Sequence, residues 1–342
     1  MKVMKSKIQN YSIILLLGVM VSQLIACKDW TETEPLEISN PSVEQQNPAL
    51  YAAYLEDLRA YKKNPHKINM GWFNNAKKNP ASQGDHIAKV PDSLDYLVLE
   101  YPTALVDREL AEMKDLLEKK QTKVIFEIDF NSIKTAFLKK EDANLVFDTF
   151  VKDSIGGIFS DTDKTPYQGI IVSYQGKELL HLNEQERLQV EAEENLFFSL
   201  VKPWLDKNSD KALFYKGNPE FLIQKEILKA VDYIVLPTDN VADAGALNYA
   251  LRSAMVSNVP TDKFIVLASM TSYKADEAKL GYFVDGSRSA IATARWAASV
   301  QNGVKIQGVG YKNLAYDYFN VLKSYQYNRE AIQITNPSVK IK

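Results

Sequence analysis

The sequence predicts an α/β fold, a (β/α)8 TIM barrel with an N-terminal helical extension, on three observations. Eight short runs rich in β-branched and aromatic residues are separated by longer amphipathic stretches, the alternation that favours a parallel sheet covered by helices. With the stretches between them these eight runs extend over about 260 residues, the usual size of such a barrel. The doubly wound alternative lacks its mark. The turn after the first run reads Gly71-Trp72-Phe73-Asn74-Asn75, with one glycine. Neither G-x-G-x-x-G nor G-x-x-x-x-G-K-[ST] occurs in the chain, so no nucleotide cofactor is expected.

In chain order, residues 1–26 are a secretory signal peptide rather than part of the fold. Lys2, Lys5 and Lys7 give a positive start, an apolar stretch runs from Ile13 through Val21, and Leu24-Ile25-Ala26-Cys27 follows. Small Ala26 before Cys27 reads as a lipobox with Cys27 as the lipidation site. The apolar run is too short for a span of about 20 residues, and the chain's one cysteine falls where a lipobox needs it. Acyl chains on Cys27 would anchor the protein to a membrane. Removal of the signal takes three lysines and moves the formal charge from −2 to −5. Residues 27–42 form an acidic tether. Its Lys28-Asp29-Trp30-Thr31-Glu32-Thr33-Glu34 resembles the stretch after the cysteine in Bacteroidetes-type surface lipoproteins, and implies an outer-membrane, cell-surface location.

Residues 43–66 form the helical extension, expected to pack beneath the barrel, and 67–330 form the barrel itself. Strands are expected at 67–73, 94–100, 123–130, 169–174, 211–215, 231–237, 263–269 and 305–310. Helices are expected at 105–119, 184–204, 219–230, 243–256, 287–300 and 314–325. Leu110, Met113, Leu116 and Leu117 keep the three-or-four spacing of one buried helix face, and Pro219 suits a first helical turn. Residues 331–342 are left as a C-terminal tail.

Composition narrows the function. Of 342 residues 46% are hydrophobic and 25% charged, with 41 basic against 43 acidic side chains in no long block of one sign. That is a globular protein without the basic footprint of a nucleic-acid binder. A single cysteine excludes an internal disulfide and a cysteine metal site. The three histidines, His66, His86 and His181, have no ligand spacing, so neither a zinc site nor a Ser-His-Asp triad is expected.

In a barrel, side chains at the C-terminal strand ends converge on one pocket. Those ends supply Trp72 and Asn74, Glu100 and Tyr101, Glu127 and Asp129, Ser173 and Gln175, Tyr215, Thr238-Asp239-Asn240, and Tyr311 with Asn313. Aromatic faces mixed with amides, hydroxyls and carboxylates suit sugars, whose rings carry apolar faces and a polar rim. Trp204 and Trp296 sit at helical spacing and read as packing.

The fourth run, Tyr167-Gln168-Gly169-Ile170-Ile171-Val172-Ser173-Tyr174-Gln175, resembles the signature strand of family 18 glycoside hydrolases, the chitinases and endo-β-N-acetylglucosaminidases, whose pattern is D-G-x-D-x-D-x-E. Gly169, the alternating apolar positions and Tyr174 match. Gly71-Trp72-Phe73 and Tyr311-Lys312-Asn313-Leu314 are similar to other strands of the family, and the likeness spans residues 65–327. All four carboxylates are replaced, by Gln168, Ile171, Ser173 and Gln175. The family's hydrolysis needs the glutamic acid to protonate the leaving oxygen and the aspartate to orient the substrate's acetamido group. A glutamine keeps hydrogen-bonding capacity but supplies no acidic proton.

Two escapes exist. A register slip could bring Glu178 to the acid's place, but a three-residue shift reverses the face of the strand. Glu127 and Asp129, on one face of strand three, could form a relocated acid pair. Strand six, Ile234 to Asn240, shows no polar pair for an acetamido group. The expectation is therefore a surface lipoprotein that binds a glycan for an outer-membrane importer without cleaving it. Its expected ligand residues are Trp72, Glu100, Glu127, Asp129, Gln175, Tyr215, Asp239, Tyr311 and Asn313. The alternative is a divergent glycosidase using Glu127 or Asp129.

Overall fold

The structure, a computed structural model, describes residues 41–337 except Ala143. The signal segment, Cys27 and most of the tether lie outside the described residues. The chain divides into two compact units, Met1–Ala52 and Ala53–Lys342. The described part of the first holds α1 (Val43–Gln46), closed at its start by a capping box between Ser42 and Gln45, and the beginning of α2 (Pro48–Lys63).

The second unit is a closed barrel of eight parallel strands. They are β1 (Ile68–Phe73), β2 (Tyr96–Leu99), β3 (Lys123–Asp129), β4 (Gly169–Ser173), β5 (Ala212–Lys216), β6 (Tyr233–Leu236), β7 (Phe264–Ser269) and β10 (Gly308–Lys312). They hydrogen-bond in the order β1-β10-β7-β6-β5-β4-β3-β2, and the ring closes between β1 and β2. Seven strands fall within the runs read from the sequence or extend them by one residue. The eighth lies later than expected, because residues 300–305 form a small antiparallel hairpin, β8 (Val300–Gln301) and β9 (Val304–Lys305). Its turn is Asn302-Gly303, both at positive φ, the dipeptide that two-residue hairpins favour.

Alternation divides the side chains into two layers. Met70, Trp72, Ile125, Ile171, Phe214, Val235 and Leu267 fill the barrel interior. The outward residues, such as Phe126, Ile128, Val172 and Tyr215, pack under the helices. Gly310 is required inside. A Cβ there would lie 2.5 Å from Leu267 Cδ2 and 2.7 Å from Trp72 Cζ3, so its absence lets the indole cross the barrel.

The covering helices are α3 (Asp107–Lys120), α4 (Phe130–Leu138), α5 (Phe147–Thr162), α6 (Glu184–Lys207), α7 (Ile227–Ala230), α8 (Ala244–Ala254), α9 (Ser289–Ala298) and α10 (Gln326–Thr335). Helices α4 and α5 were not among the expected elements. The helix expected at 219–230 is instead a 3-10 turn (Pro219–Phe221) followed by the single turn of α7. The buried Glu194 carboxylate accepts from Ile223 N (3.2 Å) and Gln224 N (2.6 Å), committing backbone donors a continuous helix would use. The expected helix at 314–325 is reduced to a 3-10 turn (Leu314–Asp317). Helix α10 then runs past residue 330, where the tail was expected to begin, and buries Ala331, Ile332 and Thr335.

From Ala53 onward, α2 lies at the N-terminal ends of the strands. Arg59 Nη1 donates to Lys119 O, and Lys62 Nζ donates to Leu94 O and Thr122 Oγ1, just before β2 and β3. Asn336 bonds both the N–H and the carbonyl of Lys67 at 2.8 Å, clasping the chain end to the start of β1. No described helix is long and apolar enough to cross a membrane.

Candidate functional site

The parallel register fixes which side chains meet at the mouth. Asp129, Ser173 and Lys216 stand opposite one another on β3, β4 and β5, and one layer deeper Glu127, Ile171 and Phe214 do the same. From these levels the cleft opens at the C-terminal ends of the strands, with a volume of about 390 Å³. Trp72, Glu100, Tyr101, Glu127, Asp129, Lys216 and Lys312 line it. Larger hollows, against Trp204 on the outer wall and near Tyr61, gather no such set of strand-end groups.

Glu127 is the hub. Its Oε2 accepts from Trp72 Nε1 at 2.7 Å, and its Oε1 forms an ion pair with Lys216 Nζ, both side chains about nine-tenths buried. Burial would push the Glu127 carboxyl up. The fields of Lys216 and Lys312, with the bonds from Lys216 and Trp72, outweigh it and hold the pKa below the ordinary carboxylate value. Burial would likewise lower Lys216, but Glu127, Asp129 and Asp239 hold it above the ordinary lysine value. Lys312 differs: burial dominates and lowers its pKa. Its Nζ lies 4.8 Å from the centre of the Trp72 ring, in cation–π range.

Asp129 is committed at both oxygens. Oδ1 caps α4 by accepting from Ser132 N at 2.7 Å, and Oδ2 accepts from Ser173 Oγ at 3.0 Å, with Lys216 Nζ 3.8 Å away. A carboxylate at the first turn of a helix also faces the positive end of the helix dipole.

Of the residues expected to bind ligand, Trp72, Glu100, Glu127 and Asp129 come together in this cleft. Asp239 is half-buried, and its field helps to raise Lys216 and opposes the lowering of Lys312 by burial. Asn313 follows β10 in a left-handed conformation, φ 57°. Gln175, on the loop after β4, accepts weakly from Asn218 Nδ2 at 3.3 Å. Two expectations are corrected. Tyr215 and Tyr311 point outward and are fully buried, their hydroxyls donating to Tyr174 O at 2.7 Å and Asn69 Oδ1 at 3.2 Å. Sequence reading placed them at the rim because they stand at the expected strand ends. The inward residues are their neighbours Lys216 and Lys312, two positions beyond inward Phe214 and Gly310, so strand alternation carried the signal.

The degenerate strand is fixed in register. Gln168 lies below it, accepting from Val124 N at 2.9 Å. Ile171 packs in the dry interior, and Ser173 bonds Asp129. Glu178 lies on the exposed loop three residues past Gln175, so no slip delivers it to the cleft.

A closed parallel barrel with its polar cleft at the strand ends is a (β/α)8 barrel that carries its site on the loops after the strands. The chain belongs to glycoside hydrolase family 18, in the BT1044-like group, whose family model matches residues 31–334. The structure is similar to a Glu-to-Gln variant of BT1044, with a TM-score of 0.60 and 19% identity over 87% of this chain and 96% of that one. It is also similar to the apo endo-β-N-acetylglucosaminidase from Cordyceps militaris, with a TM-score of 0.59 and 16% identity over 83% of this chain and 96% of that one. A double variant of the Cordyceps militaris enzyme, Asp-to-Asn and Glu-to-Gln, in complex with fucosyl-N-acetylglucosamine-Asn, gives 0.57 and 18% over the same shares. No curated protein sequence matches the chain.

Proposed function

We propose that this protein binds a glycan at the barrel mouth and has lost the hydrolysis of its family. The observation that carries the reading is the inward face of β4 and the loop after it: Ile171, Ser173 and Gln175 hold no carboxyl group where the family pattern has three. Of the two β3 carboxylates in the cleft, Glu127 is held ionised by Lys216, the opposite of what a proton donor needs, and Asp129 has both oxygens engaged by Ser132 N and Ser173 Oγ. Trp72 closes the floor of the cleft beneath Lys312, and the cleft's carboxylates and lysines supply acceptors and donors that suit sugar hydroxyls. The Cordyceps militaris variant with amides two positions apart is in complex with fucosyl-N-acetylglucosamine-Asn. This supports an N-acetylglucosamine-containing ligand held beside an amide.

The second reading, a divergent glycosidase, is favoured by the meeting of Glu127 and Asp129 in the cleft. Incubation with N-glycans and chito-oligosaccharides, followed by chromatography, decides between them. Binding without shortened products is expected. Shortened sugar that disappears in Glu127→Gln would establish the enzyme instead.

The lipobox-like Cys27 and acidic tether support anchoring at the outer-membrane surface, where capture would feed a glycan importer. Cys27→Ser is expected to move the protein from the membrane to the soluble fraction. Retention of the variant on membranes would refute the anchor.

A further inference from the structure

We infer that Asn75 is a positioning residue for the cleft: with Glu109 and Lys78 behind it, it locks the loop after β2 in the shape that presents Tyr101 to the ligand. This rests on the glycan-binding reading of the cleft. Residues 100–103 of that loop line the cleft, and Tyr101 is 48% exposed. A loop at a barrel mouth is ordinarily a mobile part of the fold. Here the parallel ladder ends with Glu100 N donating to Phe73 O at 3.1 Å, and one side chain then carries the pairing further. The Asn75 amide accepts from Tyr101 N through Oδ1 and donates to Tyr101 O through Nδ2, both at 2.9 Å. An amide side chain has the donor and acceptor of a peptide group, so Asn75 holds Tyr101 as a neighbouring strand would.

The lock is fixed from behind. Asn75 is buried, and its Nδ2 also donates to Glu109 Oε1, on α3, at 2.9 Å. The Glu109 carboxylate is fully buried, and a charge in that position is tolerated only when paired and hydrogen-bonded. Lys78 Nζ meets both of its oxygens at 3.0 Å, and Val106 N donates to Oε2 at 2.9 Å. This network admits one orientation of Asn75. Turning the amide over would set Oδ1 against the Glu109 carboxylate and Nδ2 against the Tyr101 N–H. The same loop is held at a second point, where Tyr167 Oη donates to Pro102 O at 2.9 Å. Asn75, Glu109 and Lys78 stand behind the lining residues rather than among them, so their effect on a ligand passes through the loop they hold. Ordering a loop on binding costs affinity, and a loop ordered beforehand avoids that cost.

The test is a double-variant cycle. Isothermal titration calorimetry with N-acetylglucosamine hexamer compares the wild type, Asn75→Ala, Tyr101→Ala and the two exchanges together, and thermal unfolding is followed for all four. The expected result is affinity weakened by about ten-fold in each single variant, with the double variant binding like Tyr101→Ala alone. The unfolding temperature should fall equally on Asn75→Ala with or without the Tyr101 ring, because the bonds to the backbone are lost in both backgrounds. A merely structural Asn75 would weaken binding by the same factor in both backgrounds, and that result overturns the lock. If Asn75→Ala does not fold, Asn75→Ser, which keeps one hydrogen-bonding group, takes its place with the same outcomes. Hexamer binding that either single exchange leaves unaltered removes the lock while leaving the cleft reading intact. If the wild type does not bind the hexamer, the cleft reading falls and the lock with it.

Discussion

Lys216→Met is expected to lower the folding stability by about 3–5 kcal/mol, the cost of leaving one partner of a buried ion pair uncompensated. Glu127 would keep the Trp72 N–H and the field of Lys312, but lose the ammonium that neutralises it directly. Asp129 would lose its nearby cation as well. A double variant, Lys216→Met with Glu127→Leu, should recover most of the loss, because a buried pair replaced by apolar groups of similar volume is often neutral. Urea unfolding of the three proteins measures both effects. A single-variant loss below about 1 kcal/mol would place the pair among solvated surface bridges, whose worth is that small.

The same pair sets a pH window. The Glu127 carboxyl is lower in the folded protein than its ordinary 4.5. Its contribution is therefore complete above that value and lost as the pH falls through the lower folded value. Lys216 is raised above its ordinary 10.5, so its contribution is complete below 10.5 and lost as the pH rises through the higher folded value. The wild type should lose more stability than the double variant outside this window, and match its slope within it.

Gln175→Glu alone is expected to leave glycans uncut. Loss of a general acid removes about 10²–10⁴ in rate, and returning it restores nothing if the acetamido group has no carboxylate to orient it. Ser173 is bonded to Asp129, and Ile171 packs with no exposure beside Glu127 in register. Completing the motif with Ile171→Asp would set a carboxylate in a dry layer next to another carboxylate, which strongly disfavours ionising both. That substitution should unfold the barrel before it could catalyse. Product chromatography after prolonged incubation checks the single variant, and measurable turnover would show that the strand retains more of the mechanism than its residues imply.

Much of this was legible in the chain. Strands were marked by β-branched runs such as Lys123-Val124-Ile125-Phe126, whose register neighbours turned out to be the runs expected beside them. Gly169 and the three inward positions after it could be read as a signature strand without its acids. Elements that depend on distant partners were not legible. The 219–230 segment reads as helical by itself, and only the buried Glu194 carboxylate, contributed by α6, draws off its backbone donors. Tyr215 and Tyr311 looked like rim residues because they stand at the expected strand ends, but strand phase decides the face.

The amino-acid sequence by itself determined the alternation that builds a parallel barrel and the absence of carboxyl groups along its fourth strand, since both are properties of neighbouring residues. Only the tertiary structure decided that Glu127 meets Lys216, 89 positions away, and that Trp72 lies beneath Lys312. Those meetings come from the closure and register of eight strands. The fields that set each group's protonation act across space rather than along the chain.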